Sequence, residues 1–148
     1  MKILVTESQY RKILGEEKEQ KILKFPSLEF FDEDREVAWN IIQKILERKG
    51  NPSYSIEGDL DLHETPIESL GNLQSVGGNI NLHGTPIESL GNLTSVGGNI
   101  NLYGKPIESL GNLKSVGGEL NLRKTPLSEK YTEEQIRQIV DVGRKIYM

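Results

Sequence analysis

The side chains best suited to chemistry are two histidines at equivalent places in a pattern that recurs along the chain. His63 and His83 are 20 residues apart, and Asp61 precedes the first of them. If successive copies of the pattern lie side by side as strands, the imidazoles are about 5 Å apart, close enough to share a divalent metal. The next two copies carry Tyr103 and Arg123 at this position, so no third strong ligand follows. We therefore predict no metal site and keep a metal-dependent enzyme as the third of three hypotheses.

A second recurring group is acidic, and the motifs of known catalytic sites are missing from the sequence. Glu68, Glu88 and Glu108 form a column of carboxylates, which indicates a weak cation site or, as we expect, solvated turn residues. The 148 residues include no cysteine, no G-x-S-x-G elbow and no phosphate-binding glycine loop. No position combines a nucleophile, a base and an orienting group. The sequence predicts a protein that is not an enzyme, without catalytic residues or cofactors.

The recurring pattern also predicts the elements that hold these side chains. Residues 60–79, 80–99 and 100–119 are three nearly identical copies of 20 residues, and a partial fourth copy covers residues 120–127. Each copy has six apolar positions, which are too few to form a core alone. Copies that stack on one another can bury these positions, because each copy then covers its neighbours.

Within each copy, one segment has the pattern of a strand. In residues 79–83 polar and apolar residues alternate, so Ile80 and Leu82 are predicted to face the interior. The pair Gly77-Gly78 suits a sharp corner with positive φ, and Pro86 ends the strand because it cannot donate a hydrogen bond. Apolar residues at every third position after Pro86 predict a 3₁₀ or irregular turn. Successive copies then form a parallel sheet.

The copies resemble the leucine-rich repeat family. The resemblance rests on the pattern L-x-x-T-P-I-x-x-L-x-x-L-x-x-V from Leu82 to Val96, with Thr85 where the family usually has asparagine. A threonine hydroxyl could replace part of the bonding of that asparagine to the neighbouring backbone. The resemblance covers about residues 58–127 and implies an α/β solenoid, a right-handed coil with a parallel β-sheet. It implies a binding scaffold and no particular activity.

Both ends of such a stack need caps, and helix patterns flank the copies. We expect residues 1–58 to form an N-terminal helical cap, residues 59–127 the solenoid, and residues 128–148 a C-terminal capping helix. The first helix of the N-terminal cap begins near Thr6 and includes Ile22 and Leu23.

A second helix is predicted from about Asp34 to Lys49, with Gly50 just beyond its end. Its apolar stripe comprises Val37, Ala38, Ile41, Ile42, Ile45 and Leu46. The C-terminal helix begins with a capping box from Thr132 to Gln135 and passes through Gly143. Its apolar face comprises Ile136, Ile139, Val140 and Ile146.

The outward positions of the strands form columns, and the column at residues 63, 83, 103 and 123 changes at every step but one. Stacked asparagines in the neighbouring columns suggest amide ladders with a structural role. The variable column, which holds His83 and Tyr103, favours a binding surface or a relaxed constraint. We predict that the sheet face binds a protein, with Tyr103 as the anchor. The predicted contact residues are Asn81, His83, Asn101, Tyr103, Asn121 and Arg123.

Charge runs from acidic to basic along the copies. Acids lie in the first copy (Asp59, Asp61 and Glu64) and bases in the last two (Lys105, Lys114, Arg123 and Lys124). This polarity suits a partner of complementary charge or head-to-tail self-association. The net charge of −4 argues against a nucleic-acid partner, and the absence of a long apolar stretch argues against a membrane partner.

The opening residues resemble the start of many small proteins of tailed bacteriophages. MKILVTESQYRKIL, residues 1–14, carries this resemblance, which implies a phage origin. The apolar run from Met1 to Val5 is too short for a signal peptide, so we expect a cytoplasmic location, in the bacterial host cytosol or the virion. Our first hypothesis is a non-enzymatic protein-protein interaction module whose partner could be a bacterial host protein. The second is a structural virion or self-assembling component.

Overall fold

The computed structural model describes residues 22–148, which form two parallel sheets with a few helices, an α/β fold. The predicted first helix near Thr6 and the phage-like segment 1–14 lie outside the described residues. The helices are α1 (Arg35–Arg48), α2 (Pro126–Lys130) and α3 (Glu133–Ile139), with a 3₁₀ turn at Leu28–Phe30. The strands are β1 (Leu23–Phe25), β2 (Tyr54–Ile56), β3 (Leu60–Asp61), β4 (Leu73–Val76), β5 (Ile80–Asn81), β6 (Ser95–Val96), β7 (Ile100–Asn101), β8 (Ser115–Val116), β9 (Leu120–Asn121), β10 (Asp141–Val142) and β11 (Ile146–Tyr147).

The strands alternate between the two sheets along the chain. The asparagine sheet, named for Asn81, Asn101 and Asn121, has the order β11-β9-β7-β5-β3. The valine sheet, named for Val76, Val96 and Val116, has the order β1-β2-β4-β6-β8-β10. Neighbouring strands pair in parallel, and the registers join equivalent residues of successive sequence copies, as in Ile80 with Ile100.

The apolar positions of the copies form one core between the sheets. Ile80 and Leu82 are buried, as predicted, and Leu90, Leu93 and Val96 are buried with them. The segment after Pro86 has no helix and turns at Gly91, which has a φ of 57°. The valine sheet is a difference from the sequence analysis, which predicted a single sheet. Its short strands lie directly before the glycine pairs, where the sequence signal is a corner.

The glycine pairs are required for space and not for positive φ. The φ angles of Gly77 and Gly97 are outside the left-handed region, contrary to our prediction. A Cβ atom on Gly97 would lie 2.2 Å from the carbonyl oxygen of Gly77. No side chain tolerates that distance, so the residue that faces the carbonyl oxygen must be glycine. The residue that supplies the carbonyl need not be, since a Cβ on Gly77 would lie 2.1 Å from the carbonyl oxygen of Glu57.

Helix α1 forms where the sequence predicts it, and its buried face belongs to the core. The Asp34 side chain caps it by accepting hydrogen bonds from two backbone N–H groups, and Gly50 follows with a φ of 80°. Two positions differ from the predicted stripe: Val37 is 44% exposed, and Trp39 is buried against the core. Leu23 lies in β1 rather than in a helix, because the segment pairs with β2.

The C-terminal end differs more from the prediction. The Thr132 capping box is present, but α3 ends at Ile139, which is 56% exposed. The chain then adds β10 and β11 to the two sheets. A Cβ on Gly143 would lie 2.3 Å from the carbonyl oxygen of Gly117, so Gly143 repeats the close backbone contact of the earlier glycine pairs. Ile146 is therefore a buried strand residue rather than a helix residue.

Candidate functional site

The outward asparagines of the asparagine sheet hold the backbone after each strand. The Oδ1 atoms of Asn81, Asn101 and Asn121 each accept a hydrogen bond, 3.1 Å long, from the backbone N–H two residues later. These N–H groups belong to the residues of the variable column. The predicted asparagines therefore act on the backbone and fix where the variable side chains begin.

The next column of asparagines links one copy to the next. The N–H of Asn99 donates to Oδ1 of Asn79 at 2.7 Å, and the N–H of Glu119 donates to Oδ1 of Asn99 at 2.7 Å. The predicted ladder between amide side chains is therefore wrong here, because these side-chain oxygens accept from the backbone. An amide-to-amide hydrogen bond of 3.1 Å does join Asn92 to Asn72, on the irregular segments.

A shallow, open depression covers the centre of the asparagine sheet. It has a volume of about 450 Å³ and combines three asparagines with the side chains of the variable column. Its lining residues are His63, Asn81, His83, Asn101, Tyr103 and Asn121. The structure thus brings together five of the predicted contact residues and adds His63. Arg123 instead extends over the ring of Tyr147, 4.6 Å from its centroid.

At the N-terminal edge of this surface, Asp61 is paired with two basic groups. Its Oδ1 lies 2.5 Å from Nδ1 of His63, and its Oδ2 lies 3.3 Å from Arg35. Burial would raise the pKa of Asp61, but the hydrogen bonds of His63 and the charges of His63 and Arg35 outweigh it, so the pKa lies below its usual value. Among residues 22–148, no group of three or more histidine or acidic side chains could hold a metal ion.

The C-terminal edge is aromatic and basic, and the sequence analysis identified only part of it. Lys145 lies 4.9 Å from the Tyr147 ring centroid, and Lys124 lies 5.3 Å from that of Tyr103. A hydrogen bond with Tyr103 raises the pKa of Lys124, and one with Glu119 raises that of Tyr147. The missed signal is the segment Asp141-Val142-Gly143, which matches Ser115-Val116-Gly117.

The threonines that follow the strands of the asparagine sheet are buried, and their hydroxyl groups form hydrogen bonds within the protein. The hydroxyl of Thr85 donates to the carbonyl oxygen of Leu82 at 2.7 Å, and Thr65 and Thr125 make the equivalent bond. The expected bonding of this threonine to the backbone is confirmed. Lys105 occupies the same position in the third copy, where its ammonium donates to the carbonyl oxygen of Thr85.

Comparison with models of known protein families, with characterised proteins and with solved structures finds no match for this chain. Within the described part of the chain, no helix is long and apolar enough to cross a membrane.

Proposed function

We propose that the chain is a non-enzymatic protein-protein interaction module that binds a partner protein through the outer face of the asparagine sheet. In this proposal the two sheets belong to a solenoid, a right-handed coil of the leucine-rich repeat type, capped at both ends. The protein is phage-encoded and acts in the cytosol of the bacterial host, where a host protein is its partner.

One observation carries the proposal: the depression presents changing side chains on an unchanging frame. The backbone beneath His83 and Tyr103 is held by the same asparagine hydrogen bond in each copy. The core positions keep their apolar character from copy to copy, whereas this column holds histidine twice (His63 and His83) and then changes in charge and size to Tyr103 and Arg123. A rigid frame with varied side chains lowers the cost of ordering an interface on binding.

Tyr103 is the best anchor in this surface. It is half-buried, it lines the centre of the depression, and its ring has Lys124 beside it. Tyrosine buries a large area with few rotatable bonds, which is why it is common at the energetic centres of interfaces. An open depression of this kind suits a protein surface better than a small substrate, which needs an enclosing pocket.

The experiment is affinity capture from bacterial lysate with matched variants. We expect the wild-type chain to retain one stoichiometric protein, and Tyr103→Ala to weaken its binding by about 30-fold, the effect of losing a hot-spot residue of about 2 kcal/mol. Ser95→Ala, on the valine sheet, is the control and should bind like the wild type. If Tyr103→Ala captures the partner as well as the wild type and Ser95→Ala do, the asparagine sheet is not the binding surface.

The second candidate, a structural or self-assembling component, is favoured by the opposite charges at the two ends of the asparagine sheet. Light scattering of the purified chain tests it, since self-assembly raises the apparent mass with concentration. The third, a metal-dependent enzyme, is tested by metal analysis of the purified protein, and a metal-free preparation would exclude it.

A further inference from the structure

The asparagine sheet has an edge strand at its N-terminal end. In the strand order of residues 22–148, β3 has β5 on one side and no strand on the other. The N–H groups of Leu60 and Leu62 donate to the carbonyl oxygens of Asn79 and Asn81, along β5. Backbone groups of successive residues in a parallel strand point to opposite sides, so the N–H of Asp61 points away from the sheet. Edge groups of this kind are a template for another strand.

A groove lies beside the edge strand β3. Ser27 lies next to Gly58, where a Cβ on Gly58 would be 3.2 Å from the Cβ of Ser27. The chain then forms the 3₁₀ turn Leu28–Phe30 instead of a strand next to β3. The groove has a volume of about 450 Å³ and carries Arg35 and several carboxylates. These carboxylates belong to Glu29, Asp32, Glu33, Asp59 and Asp61. The groove is therefore strongly acidic.

The other end of the sheet is a basic edge strand. Lys145 and Tyr147 accept, through their carbonyl groups, the N–H groups of Leu120 and Leu122 in β9. The N–H and C=O of Ile146, between them, consequently point away from the sheet. Arg144 and Lys145 directly precede Ile146, so this edge carries positive charge where the edge at β3 carries negative charge.

The two edges also match in register. Lys145 continues the column of Asp59, Asn79, Asn99 and Glu119, because Ile146 pairs with Leu120. If a second copy of the chain continued the sheet with the same spacing, its Asp59 would follow Lys145 in this column. The N–H of Ile146 would then face the carbonyl of that Asp59, and the carbonyl of Ile146 would face the N–H of Asp61.

We propose that the chain associates head to tail, with β11 of one copy adding as a parallel strand to β3 of the next. Ile146 lies opposite Leu60 of the second copy, and the ammonium of Lys145 pairs with the carboxylate of Asp59. The contact joins two different surfaces, so it leaves a free edge at each end and the assembly grows with concentration. This inference is independent of the proposed binding face, which uses the outer surface of the sheet and not its edges.

A second copy is favoured over other occupants because the chain carries both complementary surfaces at the same lateral position. The carboxylate of Asp61 is already paired with His63 and Arg35, whereas Asp59 accepts only the N–H of Asn79 among the described side-chain contacts. Asp59 therefore has a carboxylate oxygen available for Lys145.

The test is sedimentation velocity of the full chain from micromolar to millimolar concentration, at low and high salt. The wild type should associate beyond a dimer, and salt should weaken the association. Lys145→Glu and Asp59→Lys should each weaken it by at least about tenfold, because each places like charges in contact. An equimolar mixture of these two variants should regain association, since the carboxylate introduced in one variant then meets the ammonium introduced in the other. A third variant, Asp59→Asn, keeps the oxygen that accepts the N–H of Asn79, so weaker association of this variant does not reflect misfolding.

Two control variants separate this inference from general charge effects and from the proposed function. Glu88→Lys reverses a charge on an exposed segment away from both edges and should associate like the wild type. Tyr103→Ala should also associate normally. A monomer at every concentration, an assembly that stops at the dimer, or association that is insensitive to the changes at Lys145 and Asp59 would overturn the inference. If the chain stays monomeric but captures a protein through Tyr103, the proposed function stands without it.

Discussion

Lys105 is a buried cation at a position that holds threonine in the other copies, and we expect Lys105→Thr to stabilise the protein. Lys105 is only 5% exposed, and its ammonium donates to the carbonyl oxygen of Thr85. Thr65, Thr85 and Thr125 instead donate to the carbonyl three residues earlier. The substitution restores this local bond and releases a long side chain from burial.

The expected gain in the free energy of unfolding is about 1 kcal/mol. A buried neutral hydrogen bond contributes about 1 kcal/mol, and ordering a buried lysine side chain costs up to about 2 kcal/mol. Loss of the bond to the Thr85 carbonyl and of packing by the lysine stem offsets part of this gain. For a chain of this size, about 1 kcal/mol corresponds to a rise in Tm of about 2–4 °C.

The gain should depend on pH in one direction. Burial lowers the pKa of Lys105 from its ordinary value of 10.5. Between the lowered pKa and 10.5 the unfolded chain binds more protons than the folded chain, so the wild type becomes more stable as the pH rises through this window. Lys105→Thr removes this dependence. The advantage of the variant is therefore largest at neutral pH and shrinks toward 10.5.

Urea denaturation of both proteins at several pH values measures the effect. Lys24→Thr is the matched control, because Lys24 is exposed on β1, and it should change stability by less than about 0.5 kcal/mol. A loss of stability in Lys105→Thr, or an equal gain in Lys24→Thr, would refute the reasoning.

Three further predictions concern the core, the glycine contacts and the acidic edge. Leu90→Ala should cost about 2–5 kcal/mol in thermal or urea unfolding, whereas His83→Ala, at an exposed site, should cost less than about 1 kcal/mol; the reverse order would contradict their burial. Gly97→Ala should lower the free energy of unfolding by at least about 2 kcal/mol, because its Cβ would lie 2.2 Å from a carbonyl oxygen. Thermal unfolding followed by circular dichroism measures this loss, and a smaller loss would contradict the close contact. The lowered pKa of Asp61 stabilises the fold above its unfolded value of 3.8, and this contribution is lost as the pH falls through the folded pKa. Asp61→Asn, which can still accept the N–H of His63, should therefore flatten the acid limb of the stability profile, and an unchanged limb would contradict this role of Asp61.

Local signals predicted the elements that local contacts stabilise. Helix α1 was predictable because Asp34 and Gly50 mark its ends in the sequence. The inward positions Ile80 and Leu82 were predictable because strand alternation leaves two faces with different polarity. The valine sheet was not predictable in this way. Its strands Ser95–Val96 and Ser115–Val116 are no shorter than those of the asparagine sheet, but they directly precede glycine pairs, where the sequence pattern indicates a corner and not a strand.

The C-terminal end shows how a distant contact overrides a local pattern. Ile136, Ile139 and Ile146 have the spacing of one helix face, and the capping box at Thr132 strengthens that interpretation. Gly143 instead contacts the backbone of Gly117, which the periodicity of the local sequence does not reveal. The candidate site followed the same rule: its columns were predictable, but Tyr147 joined it only because β11 pairs with β9.

The close backbone contacts at the glycine pairs restrict insertions and deletions in the repeated part of this protein to whole copies of 20 residues. Gly97 lies against Gly77, and Gly117 lies against Gly97, at the same separation of 2.2 Å between carbonyl oxygen and the Cβ position. A gene that lost or gained one complete copy would preserve this contact and the hydrogen bonds of Asn79 and Asn99, because the copies carry equivalent residues at these positions. A gain or loss of any other length would place a residue with a side chain where glycine is required, and its Cβ would clash with a carbonyl oxygen of the neighbouring copy. Unequal recombination between the nearly identical copies is therefore a route by which related chains with shorter or longer sheets could arise while both ends keep their structure.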